Sequence, residues 1–218
     1  MLSSGQSVAA KRFNNLYNVS AVDKIKRTLE AEEMCGASGG QNLSYCIGTY
    51  GDGERQFLLY DQMQGSLSGR FEHMLAETNK KSHGIFAPIG IGAAANSELL
   101  RLLNARLCVR DVFVALDYLH TKDYAHRDVH IENILTNGNR CFLSDMESVI
   151  ACGSGRQWMK VYDIVWLGHV MAQLITGRFG MDEFPNNDSK KEKMQQQLRD
   201  GLIPNGFFFI IHVFIIHC

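Results

Sequence analysis

The sequence predicts an α+β fold, with a small strand-rich part at the start and a mainly helical remainder. Three observations carry that expectation. The first sixty residues alternate strand, helix, strand, strand; a long apolar helix period runs through the middle; and residues 162–176 are apolar nearly all round. At 218 residues, 45% hydrophobic and 21% charged, with 20 Gly and only 3 Pro, the chain has ample material for a core and is unlike a disordered one.

Taken in order, Val8 to Phe13 is a short apolar run after a turn-like Ser-Ser-Gly-Gln, which predicts a strand. Ser20 to Met34 places Val22, Ile25, Leu29 and Met34 at helical spacing, and Gly36 ends that helix. Leu43 to Tyr50 and Gln56 to Tyr60 flank Gly51-Asp52-Gly53, a hairpin signal. Leu67 to Glu77 reads as a short helix, and Lys80 to Asn96 as a Gly/Ala-rich linker. A long helix is expected from Ser97 to His120, with Leu100, Leu103, Leu107, Val112, Leu116 and Leu119 on its apolar side. Two strands follow, Asn133 to Leu135 and Arg140 to Ser144, around the turn Asn137-Gly138-Asn139. Tyr162 to Thr176 is the period of a buried helix, and Lys190 to Arg199 that of a polar one.

Charge and cysteine content narrow the partners. Lys+Arg 22 against Asp+Glu 23 leaves a net charge of −1, which removes the diffuse electrostatic case for nucleic acid or an anionic membrane. The six cysteines show no CxxC pair, which fits buried free thiols in a reducing compartment better than disulfides or zinc, and so predicts a cytoplasmic, intracellular protein. No apolar leader opens the chain. The run Phe207 to Ile216 falls well short of the ~20 residues of a membrane-spanning helix, so membrane contact is not expected.

The chemistry centres on His126-Arg127-Asp128-Val129-His130-Ile131-Glu132-Asn133, in a loop between a long helix and a strand. This string resembles the catalytic loop H-R-D-x-x-x-x-N of protein kinases. There the Asp orients the attacking hydroxyl and takes its proton, and the Asn five residues on supplies an oxygen to a metal. Other stretches resemble the family's motifs in the family's order. Asp145-Met146-Glu147 stands in the place of D-F-G, and Val8-Ala9-Ala10-Lys11 in that of V-A-I-K. Leu58 to Met63 is similar to the hinge, and Tyr162-Asp163 to the buried helix whose Asp braces the catalytic loop.

The resemblance implies a two-lobed fold: residues 1–63 as a partial N-lobe and hinge, 64–200 as a truncated C-lobe, and 201–218 as an apolar tail outside it. It implies ATP and Mg²⁺ as cofactors and a protein substrate, with a weak Ser/Thr preference. Asp128 would be the base. Asn133, Asp145 and Glu147 would face the metal, and Lys11 would clamp the phosphates with Glu30, or failing that Glu33, as its partner. The Asp61 carbonyl and Met63 amide would meet adenine, with Tyr60 behind it. The glycine-rich phosphate loop would fall before Gly5, and no A-P-E is found; both departures keep open a pseudokinase that binds without turnover. His130 stands where the family has Lys. With D-x-E at 145–147 (on an extended segment both carboxylates would point one way), it is similar to small-molecule kinases of the aminoglycoside and choline type, a further alternative.

Overall fold

The computed structural model describes residues 7–13, 19–35, 42–51, 56–70, 91–176 and 196. It is a mixed α+β structure with small antiparallel sheets. Strand β1 (Val8–Phe13), helix α1 (Val19–Cys35) and the strands β2 (Cys46–Gly51) and β3 (Gln56–Asp61) come first. β3 is central in the order β1-β3-β2, and Lys11 stands opposite Leu58. β2 and β3 pair from Gly51↔Gln56 with a bulge between Cys46 and Gly48. Helix α1 lays Ile25 and Leu29 on Leu58, Cys46 and Tyr60 of this sheet, which forms a small core of its own.

The larger core gathers around helix α2 (Ile91–Thr121). Val112, Ala115, Leu116 and Leu119 are fully buried there, and each leucine contributes about 1.5–3 kcal/mol of apolar burial. Against α2 pack strand β7 (Arg140–Leu143) and helix α3 (Trp158–Thr176). The short strands β4 (Gly65–Ser66) and β6 (Ile134–Asn137) join β7 in a second three-stranded sheet. The β6–β7 turn passes through Gly138 at φ 62°, a left-handed backbone that glycine adopts without cost. β5 (Tyr124–Ala125) pairs with β8 (Ile150–Ala151) across the loop that carries residues 126–133.

Several expectations need correction. The stretch 91–96, expected as linker, is helical and opens α2. Ala93-Ala94-Ala95 explains it, because alanine has the highest helix propensity and needs no periodic partner. Further along α2, Cys108 lies in the buried stripe and Leu107 is only half-buried. Leu43 does not extend β2; it bridges to Leu143 in parallel, and Ser44 N–H donates to the Leu143 carbonyl at 2.8 Å. Residues 67–70 are helical as expected, and the rest of that predicted helix lies outside the described residues. So do the hairpin turn 52–55, residues 80–90 of the expected linker, all of the expected polar helix 190–199 but residue 196, and the apolar tail. Among the described residues no helix is long and apolar enough to cross a membrane.

Candidate active site

Helix α3 sets the geometry of the loop through one buried side chain. Asp163, fully buried, accepts the backbone N–H of His126 at 2.8 Å and of Arg127 at 2.7 Å, and His120 Nε2 reaches the same carboxylate at 2.9 Å. These charge-assisted bonds hold Arg127 in the left-handed region at φ 70°, which costs a non-glycine residue about 1–2 kcal/mol. That is the bracing geometry expected of Asp163.

His126 is wholly buried beneath the loop. Its Nε2 faces the Ser144 carbonyl at 3.1 Å, and the Asp128 N–H points at Nδ1 from 3.3 Å. A carbonyl only accepts and an amide N–H only donates, so the ring carries its proton on Nε2 and is neutral. Burial pushes its pKa down, in agreement.

Asn133 joins the loop to the segment ahead of Asp145. Its Nδ2 donates to the Asp128 carbonyl at 3.0 Å and to Asp128 Oδ2 at 2.9 Å, which leaves its own amide oxygen as an acceptor. The Asn133 carbonyl accepts both the backbone N–H and the hydroxyl of Ser144 at 2.8 Å. His130 lies between two carboxylates, Nε2 at 3.5 Å from Asp128 Oδ2 and Nδ1 at 3.5 Å from Glu132 Oε2. The hydrogen bond and charge of His130, with the hydrogen bond from Asn133, outweigh burial and hold the Asp128 carboxyl below its usual range.

Asp145 is left-handed at φ 68°, and Met146–Ser148 form one 3-10 turn rather than the extended segment expected. Met146, almost fully buried, anchors that turn, and α1 packs against it. The two carboxylates nevertheless meet one cation: Lys11 Nζ lies 2.8 Å from Asp145 Oδ1 and 3.7 Å from Glu147 Oε2. These partners are 134 residues apart in sequence.

Glu30 is not the partner of Lys11. It stands on the exposed side of α1 in an i,i+4 pair with Lys26 at 3.6 Å, and Glu33 is exposed too. The reason is helical phase. At 100° per residue Glu30 lies about 140° round from the buried Ile25, and Glu32 within about 20° of it. Glu32 is the residue the sequence reading missed, although it shares the face of Ile25 and Leu29. It is 7% exposed, accepts the Cys46 N–H at 2.7 Å, and has its other oxygen buried without a hydrogen bond. Burial pushes its carboxyl up to about 7, against the Cys46 N–H, the Lys11 charge and the Tyr60 hydroxyl, which favour the ionised form. Tyr60 belongs to this group: burial raises its phenol, and the charges of Glu32, Asp145 and Glu147 add to that.

Asp61 and Met63 border a cleft of about 330 Å³ with Leu43, Ser44, Tyr45 and Phe142. Most of that space is open to solvent; the enclosed part is about 80 Å³, well below a small-molecule cleft, and none of Lys11, Asp128, Asn133, Asp145 or Glu147 lines it. Among the described residues no group of three or more His, Cys, Asp or Glu side chains is placed to hold a metal. The acidic pair on Lys11 still suits a hard cation, since Mg²⁺ needs only one or two protein carboxylates when phosphates and water complete its shell. The chain matches no protein-family model.

Proposed function

We propose that this chain is a phosphotransferase of the protein-kinase-like superfamily, using ATP and Mg²⁺ to phosphorylate a hydroxyl on a protein, with Ser/Thr the weakly favoured acceptor. The fold reading that goes with it is two-lobed, with β1–β3 and α1 as the small lobe and α2, α3 and β4–β7 in the large one. One observation carries the proposal: the ammonium of Lys11 rests on Asp145 and Glu147, while Ser144, next to Asp145, is tied to Asn133 and through it to Asp128. Three separate stretches of sequence thereby converge on one acidic, partly buried locus.

In the reaction the acceptor oxygen bonds to the γ-phosphorus as the bond to the ADP oxygen breaks, and the hydroxyl proton passes to Asp128. Asp128 is held ionised and is oriented by Asn133, so its role is positioning the hydroxyl and receiving the proton late. Bound Mg²⁺ would neutralise charge on the phosphates, with Asp145, Glu147 and the Asn133 amide oxygen as its donors. Lys11 would then turn to the phosphates, which replace the two carboxylates as its anionic partners.

A small-molecule acceptor is the second reading. The closeness of Glu147 to the same ammonium as Asp145, and of His130 to Asp128, favours it. Transfer of labelled phosphate from ATP and Mg²⁺ to generic protein, and separately to amino-sugar and choline-like alcohols, tests both. We expect protein labelling that falls about 100-fold or more in Asp128→Ala. Labelling of the small alcohols alone would replace the first reading with the second. If nucleotide binds and neither acceptor is labelled, the enzyme reading fails and a binding module remains.

A further inference from the structure

Lys11 already places a cation where the divalent ion of the proposed reaction would sit. Its Nζ lies 2.8 Å from Asp145 Oδ1 and 3.7 Å from Glu147 Oε2. The three side chains are 36%, 27% and 24% exposed, so salt and water screen the group less than an open surface pair. Both ends are held by the fold. Lys11 stands inside β1, in register with Leu58 of the central strand β3. Asp145 leads into the 3-10 turn 146–148, whose Met146 is 1% exposed and against which α1 packs. That turn brings the carboxylates of Asp145 and Glu147 to one ammonium. A divalent ion and the ammonium cannot share them. Mg²⁺ takes carboxylate oxygens at about 2.0–2.1 Å, in the space that Nζ fills before Asp145 Oδ1, and two positive charges there repel.

We propose that Lys11 is an autoinhibitory latch: its ammonium stands in for the divalent ion, shuts the Asp145–Glu147 site against free metal, and releases it when phosphate oxygens offer another anionic partner. The proposal rests on the reading of Asp145 and Glu147 as donors to Mg²⁺. It adds a rule for the order of binding. Free metal meets an occupied site whose two negative charges are half cancelled by the lysine, and the number of charged donors sets the affinity of such a site. Nucleotide phosphates draw Lys11 away and leave both carboxylates to the metal. Metal on the carboxylates in turn leaves Lys11 to the phosphates. Each ligand thus raises the affinity of the other by the same factor, because linkage between two binding sites is reciprocal. Without nucleotide the ion pair also fastens strand β1 to the turn after β7.

The test is Mn²⁺ binding by the full chain with no nucleotide present, read from the electron paramagnetic resonance signal of the free ion. Lys11→Gln should bind Mn²⁺ about 5- to 150-fold more tightly than wild type, the usual range of coupling between sites. Lys11→Met should show the same gain, Lys11→Arg should stay near wild type, and adding Asp145→Ala to Lys11→Gln should remove the gain. Mn²⁺ should raise the Tm of the two neutral variants and leave that of wild type unchanged. Equal Mn²⁺ affinity in wild type and the neutral variants, with native far-UV circular dichroism, overturns the latch. A gain that survives Asp145→Ala overturns it equally. The outcomes also separate it from the phosphotransferase reading. A gain in the variants while wild type takes up no ATP upholds the closed metal site and removes that reading; ATP uptake by wild type with no gain in the variants does the reverse.

Discussion

Glu32 shows how much a single phase angle decides. The helix Ser20–Met34 was legible from its apolar spacing, and the candidate carboxylates Glu30 and Glu33 follow from their type alone. Which acidic residue turns inward depends on where the sheet lies, and the sheet lies on the face of Ile25 and Leu29. The pH consequence follows from the raised carboxyl. Between its ordinary value of 4.5 and about 7 the native state holds a proton on Glu32 that the unfolded chain has released. The native state then binds more protons, so this residue's contribution to stability is full below 4.5 and declines as pH rises to about 7. Glu32→Gln should remove that slope. Melting curves from pH 5 to 8 should show the variant near wild type at the acid end and a few degrees above it at the alkaline end. A gap that does not change with pH would refute the raised carboxyl.

At the scale of elements, the loop 126–133 depends on α3 more than on its own sequence. Asp163 answers the buried N–H of His126 and the partly buried N–H of Arg127. Asp163→Ala should therefore cost about 2–4 kcal/mol, read from the urea midpoint, and Asp163→Asn less because one amide oxygen remains to accept. A loss below about 1 kcal/mol for the alanine variant would mean the loop holds itself. The helices were readable wherever apolar residues recur at 3.6, as in Val112, Leu116 and Leu119. The start of α2 was not, because an alanine run has propensity but no period. The 3-10 turn at Met146–Ser148 was equally hidden: its anchor is Met146 entering a core built from α2 and α3, a tertiary contact with no local signature.

For the whole molecule, a ligand that binds only the folded chain must stabilise all of it. If ATP with Mg²⁺ occupies the acidic locus, saturation at about 100 times Kd adds about 2.7 kcal/mol. For a chain of this size that raises Tm by roughly 5–10 °C. Replacing Asp145 with Ala should abolish the magnesium-dependent part of the rise, and no shift at millimolar nucleotide would sink the kinase-like reading. The sequence by itself determined the α+β class, the order of strands and helices, and the motif string from His126 to Asn133, because period and short spacings are properties of neighbouring residues. It also marked Lys11, Asp145 and Glu147 as candidate site residues, with Glu30 rather than the two carboxylates as the expected partner of Lys11. Only the tertiary structure decided that Lys11 rests on those two carboxylates and that Glu32 rather than Glu30 turns inward. The Lys11 contact joins residues 134 apart in the chain, and packing of α1 on the 3-10 turn and on the β1–β3 sheet fixes both arrangements.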